Sequence, residues 1–332
     1  MSNLTGRPNP PQVARTSEAN LLDRGVRQGV PSGCEPAPAG ESMQRGAGTL
    51  MFRNLGPGAI GVDRNALDVF SAAREAGFDG LDPDLGQVAE LGPAAFLRPY
   101  EERGLRVGGW GLPVPLQAGG EQYRAALDRL GPTAAAAASV GATRCATWIP
   151  SCSDERPFSE NLAFHVQRLR PVAETLGEHG CRLGLEFIGP RTFLRSKKYP
   201  FIHTMEGMLE LCEAVGTGNV GLLLDSWHWY TSHGTLGDLK KLTDANIVQV
   251  HINDAPSGVP VDEQVDSVRE IMGETGVIDL TGFLRALRDA GYTGPVTPEP
   301  FSAKLKEMSP AEAVSYAGAA LKVVWEEALG CA

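Results

Sequence analysis

Four residues able to ligate a hard divalent cation stand at the carboxyl ends of four short apolar runs: Glu186 in LGLEFIGP, Asp225 in VGLLLDSWHWY, His251 in IVQVHINDA and Glu299 in PVTPEP. Each run is rich in Val, Ile or Leu and short enough for a buried strand. A carboxylate or imidazole that ends a core strand carries a desolvation cost, and a cation is an economical partner to offset it. Three carboxylates and one imidazole favour Mn2+ as the expected ion, with Co2+, Mg2+ or Fe2+ as alternatives, over a structural zinc, which prefers thiolates and histidines. Such a cation polarises a carbonyl or hydroxyl and stabilises an enediolate, while two flanking glutamates, Glu186 and Glu299, move protons.

Other polar and aromatic residues lie close to these four in sequence. His228 follows Asp225 by three residues in the DSWHW run and can face the same site or sit in the core. Asp254 follows His251 by three and either binds substrate, orients the imidazole, or makes an Asx-turn. Trp110 and Trp148 end two further strand-like runs and are candidates to wall a sugar pocket, with plain packing as the other reading. Arg269 lies in a loop as a candidate substrate contact, whereas Arg191 and Lys197 read as solvated charge.

The elements that must position these groups alternate from residue 58 onward. Candidate strands are 59–62, 78–84, 105–114, 143–149, 182–188, 220–227, 247–254 and 295–300, and helical patterns fall at 66–77, 123–141, 160–180, 280–291 and 310–329. Pro132 and Pro171 are expected to kink or divide two of these helices. The metal-ligand candidates are spaced by 39, 26 and 48 residues, each gap long enough for a crossover helix between parallel strands. Eight strand–helix pairs predict a single-domain (β/α)8 TIM barrel over 52–329, with the ligands converging at its carboxyl mouth. An open doubly wound sheet is the alternative; it would show a glycine-rich loop after its first strand, and GPGAIG is read here as preceding that strand.

Composition narrows the function classes. The chain has 332 residues, 42% hydrophobic and 21% charged, with a net charge of −10, which argues against a nucleic-acid partner. No apolar run is long enough for a membrane span and no secretory signal is evident. The six cysteines form no CxxC pair and are read as free thiols in a reducing compartment, so a cytoplasmic location is expected. Residues 1–48 are rich in Pro and Gly without amphipathic period and are expected to be a disordered tail, with Met43 or Met51 as a candidate natural start.

The pattern E…DxxH…H…E at the ends of strands five to eight resembles the xylose isomerase-like TIM barrels, the sugar phosphate isomerase/epimerase superfamily. The resemblance covers about residues 52–329. It implies that Glu186, Asp225, His251 and Glu299 bind the metal, that Glu186 and Glu299 are the acid–base pair, and that His228 contacts substrate oxygens. The HINDAP segment, with DSVRE and GETGVIDL after it, looks closer to the inosose dehydratase-like and uncharacterised bacterial branch than to the epimerases. Ketose 3-epimerases carry a glutamate six residues after the strand-five ligand and an arginine six after the strand-seven histidine; here these positions are Thr192 and Ser257. Endonuclease IV, with extra histidines over a basic surface, fits poorly with six histidines and a charge of −10.

The expected function is therefore a divalent-metal-dependent isomerase or epimerase acting on a keto-sugar or polyol. Elimination from an inosose or 3-keto-sugar derivative shares the same intermediate and is the second reading. Metal-assisted hydrolysis and a non-catalytic barrel subunit are the others. The expected partner is the small-molecule substrate, with a homo-oligomer and a small partner subunit as further expectations.

Overall fold

The computed structural model describes residues 50–330; the segment read as a tail over 1–48, with Cys34, and Cys331 lie outside them. Nine short strands form one sheet: β1 (Phe52–Leu55), β2 (Gly80–Leu81), β3 (Arg106–Val107), β4 (Trp110–Gly111), β5 (Arg144–Ile149), β6 (Arg182–Phe187), β7 (Val220–Asp225), β8 (Ile247–Ile252) and β9 (Pro295–Pro298). Their spatial order is β3-β2-β1-β9-β8-β7-β6-β5-β4, and every pairing is parallel. The two outermost strands, β3 and β4, are consecutive in the chain and separated only by Gly108 and Gly109. The sheet therefore curls back on itself as a (β/α)8 TIM barrel whose third strand is broken in two.

That break has a steric cause. A Cβ on Gly108 would overlap the Asn54 and Asp82 side chains, and one on Gly109 would overlap Gln249, so only glycine lets this strand pass the barrel interior. The expected first strand at 59–62 is instead a short 3-10 turn, Gly58–Ile60, closed by Gly61 in the left-handed region at φ 74°. The first strand lies earlier, at Phe52–Leu55, where inward-facing Asn54 weakens the apolar signal. The glycine-rich GPGAIG segment thus follows β1 rather than preceding it. The doubly wound alternative is excluded by the sheet curling back on itself, not by the position of that loop.

Helices pack outside the strands. The patterns at 66–77, 280–291 and 310–329 are the helices Val69–Glu75, Leu280–Asp289 and Pro310–Leu329. The pattern at 123–141 is divided into Gly120–Leu127 and Leu130–Ser139, whereas Phe158–Glu178 runs through Pro171 undivided. The helices Pro93–Arg103 and Met205–Val215 complete much of the outer layer. No helix of the described residues is long and apolar enough to cross a membrane. Cys145, Cys152, Cys181 and Cys212 are buried free thiols.

At the amino end of the barrel, arginines close the sheet. Arg144 donates to the carbonyls of Ile247 and Val248 at 3.3 and 2.9 Å and lies over the Tyr292 ring. Arg182 donates to the carbonyls of Asp244 and Ala245, and Arg106 caps the Phe52 ring with its guanidinium 3.7 Å from the centroid. Arg53 pairs with Asp79 through two side-chain hydrogen bonds, at 2.7 and 3.0 Å.

Candidate metal centre

The carboxyl end is built differently. Glu186 sits in β6, Asp225 ends β7, His251 is the penultimate residue of β8 and Glu299 directly follows β9. In the ladder, His251 stands level with Asp225 on one side and Thr297 on the other, so the strand ends deliver their side chains at one height. One ligand atom from each of Glu186, Asp225, His251 and Glu299 lies within 4.8 Å of the others. His251 Nδ1 is 3.2 Å from Glu299 Oε2 and 3.6 Å from Glu186 Oε1.

The electrostatics of this cluster are unbalanced. Burial pushes Glu186 up to about 7 against the pull of the neighbouring His251, and the charge of Glu299 adds to the rise. Burial likewise raises Asp225, opposed by Arg269. Burial alone would lower His251, but Glu299 and Glu186 overcome it and hold the imidazolium well above its usual range. Glu299 is held below the usual carboxylate range despite burial, by His251 and Arg269. Glu186 Oε1 and His251 Nδ1 are buried and make no hydrogen bond. Two orphaned ligand atoms, three carboxylates and an imidazole converging on one point fit a divalent cation.

A set of neighbouring side chains holds the ligands in place. Asp225 Oδ1 caps the helix Ser226–Thr231 by accepting from the Trp227 amide at 2.8 Å, and it also accepts from Asn253 Nδ2 at 3.0 Å. Arg269 arrives from the long loop after β8: its Nη1 donates to Asp225 Oδ2 at 2.8 Å and Glu299 Oε2 at 3.0 Å, its Nη2 to Asp266 Oδ1 at 3.0 Å, and its Nε to the Asp266 carbonyl. Arg269 is thus buried and fixed to the ligands themselves rather than free for substrate. Phe301 packs over its guanidinium at 4.3 Å, with backbone φ 40° in the region L-residues rarely adopt.

His228 is fully buried beside the cluster, its Nε2 3.9 Å from Asp225 Oδ2. Its Nδ1 accepts from the Gly189 amide at 3.1 Å, so the neutral ring carries its proton on Nε2, facing the site. A Cβ on Gly189 would overlap the His228 carbonyl, so this approach requires glycine.

Two expected substrate contacts are placed elsewhere. Asp254 takes hydrogen bonds from four loop amides: Ala255 and Ile278 on Oδ1, Thr275 and Gly276 on Oδ2, at 2.8 to 3.1 Å. Its acceptor sites are saturated, so it anchors the loop rather than binding a ligand. Trp110 stands in register with Cys145 and spends its indole N–H on the Ala142 carbonyl at 2.8 Å, in the layer between strand and helices. Trp148 is the aromatic in register with Glu186, and it is 53% exposed. Thr192 uses its hydroxyl on the Gln264 carbonyl at 2.7 Å, tying down the same loop. Sequence reasoning passed over Asn253, Asp266, Phe301, Asn54 and Asp82. Of these, only Asp82 stood within a run read as a strand, 78–84, where Asp79 and Asp84 flank it.

A parallel barrel whose carboxyl mouth gathers three carboxylates and an imidazole defines a candidate metallo-enzyme barrel. The chain belongs to the xylose isomerase-like TIM barrel family, whose model matches residues 70–323. It is 31% identical over 170 residues to inosose isomerase of Halalkalibacterium halodurans, covering 51% of this chain and 57% of that protein. It is also 31% identical over 141 residues to 3-dehydroshikimate dehydratase of Pseudomonas aeruginosa, 42% of this chain and 21% of that protein. The chain thus spans little more than half the length of the first of these relatives and about a fifth of the second. A solved xylose isomerase domain protein from Alicyclobacillus acidocaldarius superposes with a TM-score of 0.74 at 29% identity, over 84% of this chain and 99% of that one.

Proposed function

We propose that this barrel is a divalent-metal-dependent isomerase or epimerase of a keto-sugar or cyclic keto-polyol, working by proton abstraction next to a carbonyl. The observation that carries the reading is the pairing of Glu186 and Glu299 on either side of His251, each within 3.6 Å of its Nδ1. Glu186, Asp225, His251 and Glu299 would hold the ion, which we take to be Mn2+ on the strength of the donor set, and a bound cation supplies Lewis-acid polarisation of the carbonyl. Without a cation, burial raises Glu186 to about 7; beside a bound cation its carboxylate form, the form that accepts a proton, is favoured. In this reading Glu186, as carboxylate, takes the proton from the carbon beside the carbonyl. The C–H pair becomes the C=C bond and the carbonyl oxygen takes the charge, giving an enediolate. Glu299, having taken up a proton from solvent, delivers it to the opposite face or to the neighbouring carbon. The first gives epimerisation; the second, with the hydroxyl proton passing between the two oxygens, gives isomerisation. Glu186 returns its proton to solvent. His228 Nε2–H donates to a substrate oxygen and holds the ring in register.

A dehydratase reading has its own support in the similarity to 3-dehydroshikimate dehydratase: expulsion of a β-hydroxyl from the same enediolate. Incubation of the Mn2+-loaded chain in D2O with inososes and free ketoses tests both. Deuterium at the carbon beside the carbonyl is expected, and the product spectrum distinguishes a rearranged sugar from a dehydrated one. Absence of exchange with every ketone tried would sink the proton-transfer mechanism. The buried free thiols support a cytoplasmic location, as first read from the cysteine pattern.

A further inference from the structure

The wall of the mouth opposite the metal cluster carries a carboxylate that the proposed chemistry does not use. Asp82 directly follows β2, at the same end of the barrel as the four ligand residues. Asn54 Nδ2 donates to its Oδ1 at 2.8 Å and to Thr297 Oγ1 at 3.0 Å. Thr297 stands level with His251 in the ladder, so two hydrogen bonds along the wall join Asp82 to the strand position beside a ligand. Burial pushes Asp82 up to about 6, opposed by its hydrogen bond from Asn54 and by the charge of His251. Two glycines keep this corner clear: a Cβ on Gly56 would stand 2.8 Å from Asp82 Oδ2, and one on Gly108 would overlap Asn54 and Asp82.

Asp82 lines an open cavity of about 560 Å³ with Gly56, Arg64 and Gly109. Among the described residues the side-chain hydrogen bond it accepts comes from Asn54 Nδ2, which leaves acceptor capacity on a carboxylate able to take about four hydrogen bonds. Charge selects what can fill that capacity. Arg269 is buried and spends four of its five N–H groups on Asp225, Glu299 and Asp266, so it has little left to offer an anionic ligand. Arg64 leans on the Asp82 carbonyl at 3.4 Å and balances one carboxylate of that wall.

We infer that Asp82, positioned by Asn54, accepts hydroxyl groups of the substrate and selects neutral polyhydroxylated rings over rings that carry a carboxylate or phosphate. The inference rests on the reading that this mouth takes a hydroxylated ketone, and it narrows that class. A hydroxyl gains a charge-assisted hydrogen bond from Asp82, whereas an anionic substituent meets like charge.

The test is calorimetric titration of the Mn2+-loaded full chain with myo-inositol and with shikimate as neutral and acidic ring probes. Wild type is expected to prefer myo-inositol. Asp82→Asn is expected to keep its metal, to lose about tenfold in myo-inositol affinity and to narrow the gap to shikimate. Wild type preferring shikimate, or binding neither ring, overturns the inference, and this arm does not depend on the variant folding. A folded Asp82→Asn variant with both affinities unchanged overturns it as well. Failure of the chemistry reads differently: no C–H exchange with any ketone, alongside Asp82-dependent binding of the neutral ring, removes the enediol mechanism and leaves the selectivity standing.

Discussion

The two ends of this barrel handle charge in opposite ways. At the amino end, Arg144 and Arg182 are matched to backbone carbonyls, and Arg53 is matched to Asp79. At the carboxyl end, three carboxylates crowd around one imidazole, and two buried ligand atoms have no partner. The first arrangement is what stability alone selects. The second is costly without a cation and is therefore a signature of function. One scaffold shows both because strand ends at opposite poles are independent in sequence while sharing one core.

Breaking the mouth should abolish chemistry without touching the fold. Glu299→Gln is expected to cut proton exchange in D2O by about a thousandfold or more, with the chain still folded and its unfolding midpoint in urea modestly lowered by loss of the charged pairing with His251 and Arg269. Near-full exchange in that variant would remove Glu299 from the acid–base pair. Filling the mouth should stabilise it: a saturating divalent ion, at a hundred times its Kd, is expected to add about 2.7 kcal/mol to unfolding. Mn2+, Zn2+ and Mg2+ compared in one thermal-shift series would rank the ions, and His251→Ala should lose most of the gain.

The reverse pattern is expected at the amino end. Arg144→Leu removes the guanidinium hydrogen bonds to the Ile247 and Val248 carbonyls and should cost about 2 kcal/mol in urea unfolding. Metal content should be unchanged, and a fall in metal binding would show that the two poles are coupled. The smallest effect is in pH. Glu186 folds with its pKa raised to about 7, above its unfolded value, so the folded state binds the proton more tightly. In EDTA the wild type is therefore expected to gain stability as pH falls from about 7 towards 4.5, by on the order of 1 kcal/mol. A slope of the same size in Glu186→Gln would place its origin elsewhere.

The contrast between the ends also sets what was legible in the sequence. Glu186, Asp225 and His251 stood out because a polar group terminating an apolar run is rare, and Glu299 was visible for the same reason. Arg269 was recognisable as a loop residue but not as a partner of Asp225, since a contact across 44 residues leaves no periodic trace. Asp254 stays open in sequence between substrate, imidazole and a turn because a carboxylate three residues past a ligand looks the same whether it faces substrate or four backbone amides. The strands β2, β3 and β4 are two residues each, too short for alternation to register, and β1 was displaced towards the more apolar AIGV segment. Asp82 was hidden among Asp79 and Asp84 in a run read as one strand.

The Asp254 anchor has a further consequence. A single carboxylate gathers amides from residues up to 24 positions downstream and so pins both feet of the loop that delivers Arg269. A segment closed at its base can change length or content between those feet at little cost to the strands beneath it. The loop is in that sense an exchangeable part: moved between barrels with its anchor, it would carry its arginine along, and the mouth could be retuned without rebuilding the sheet.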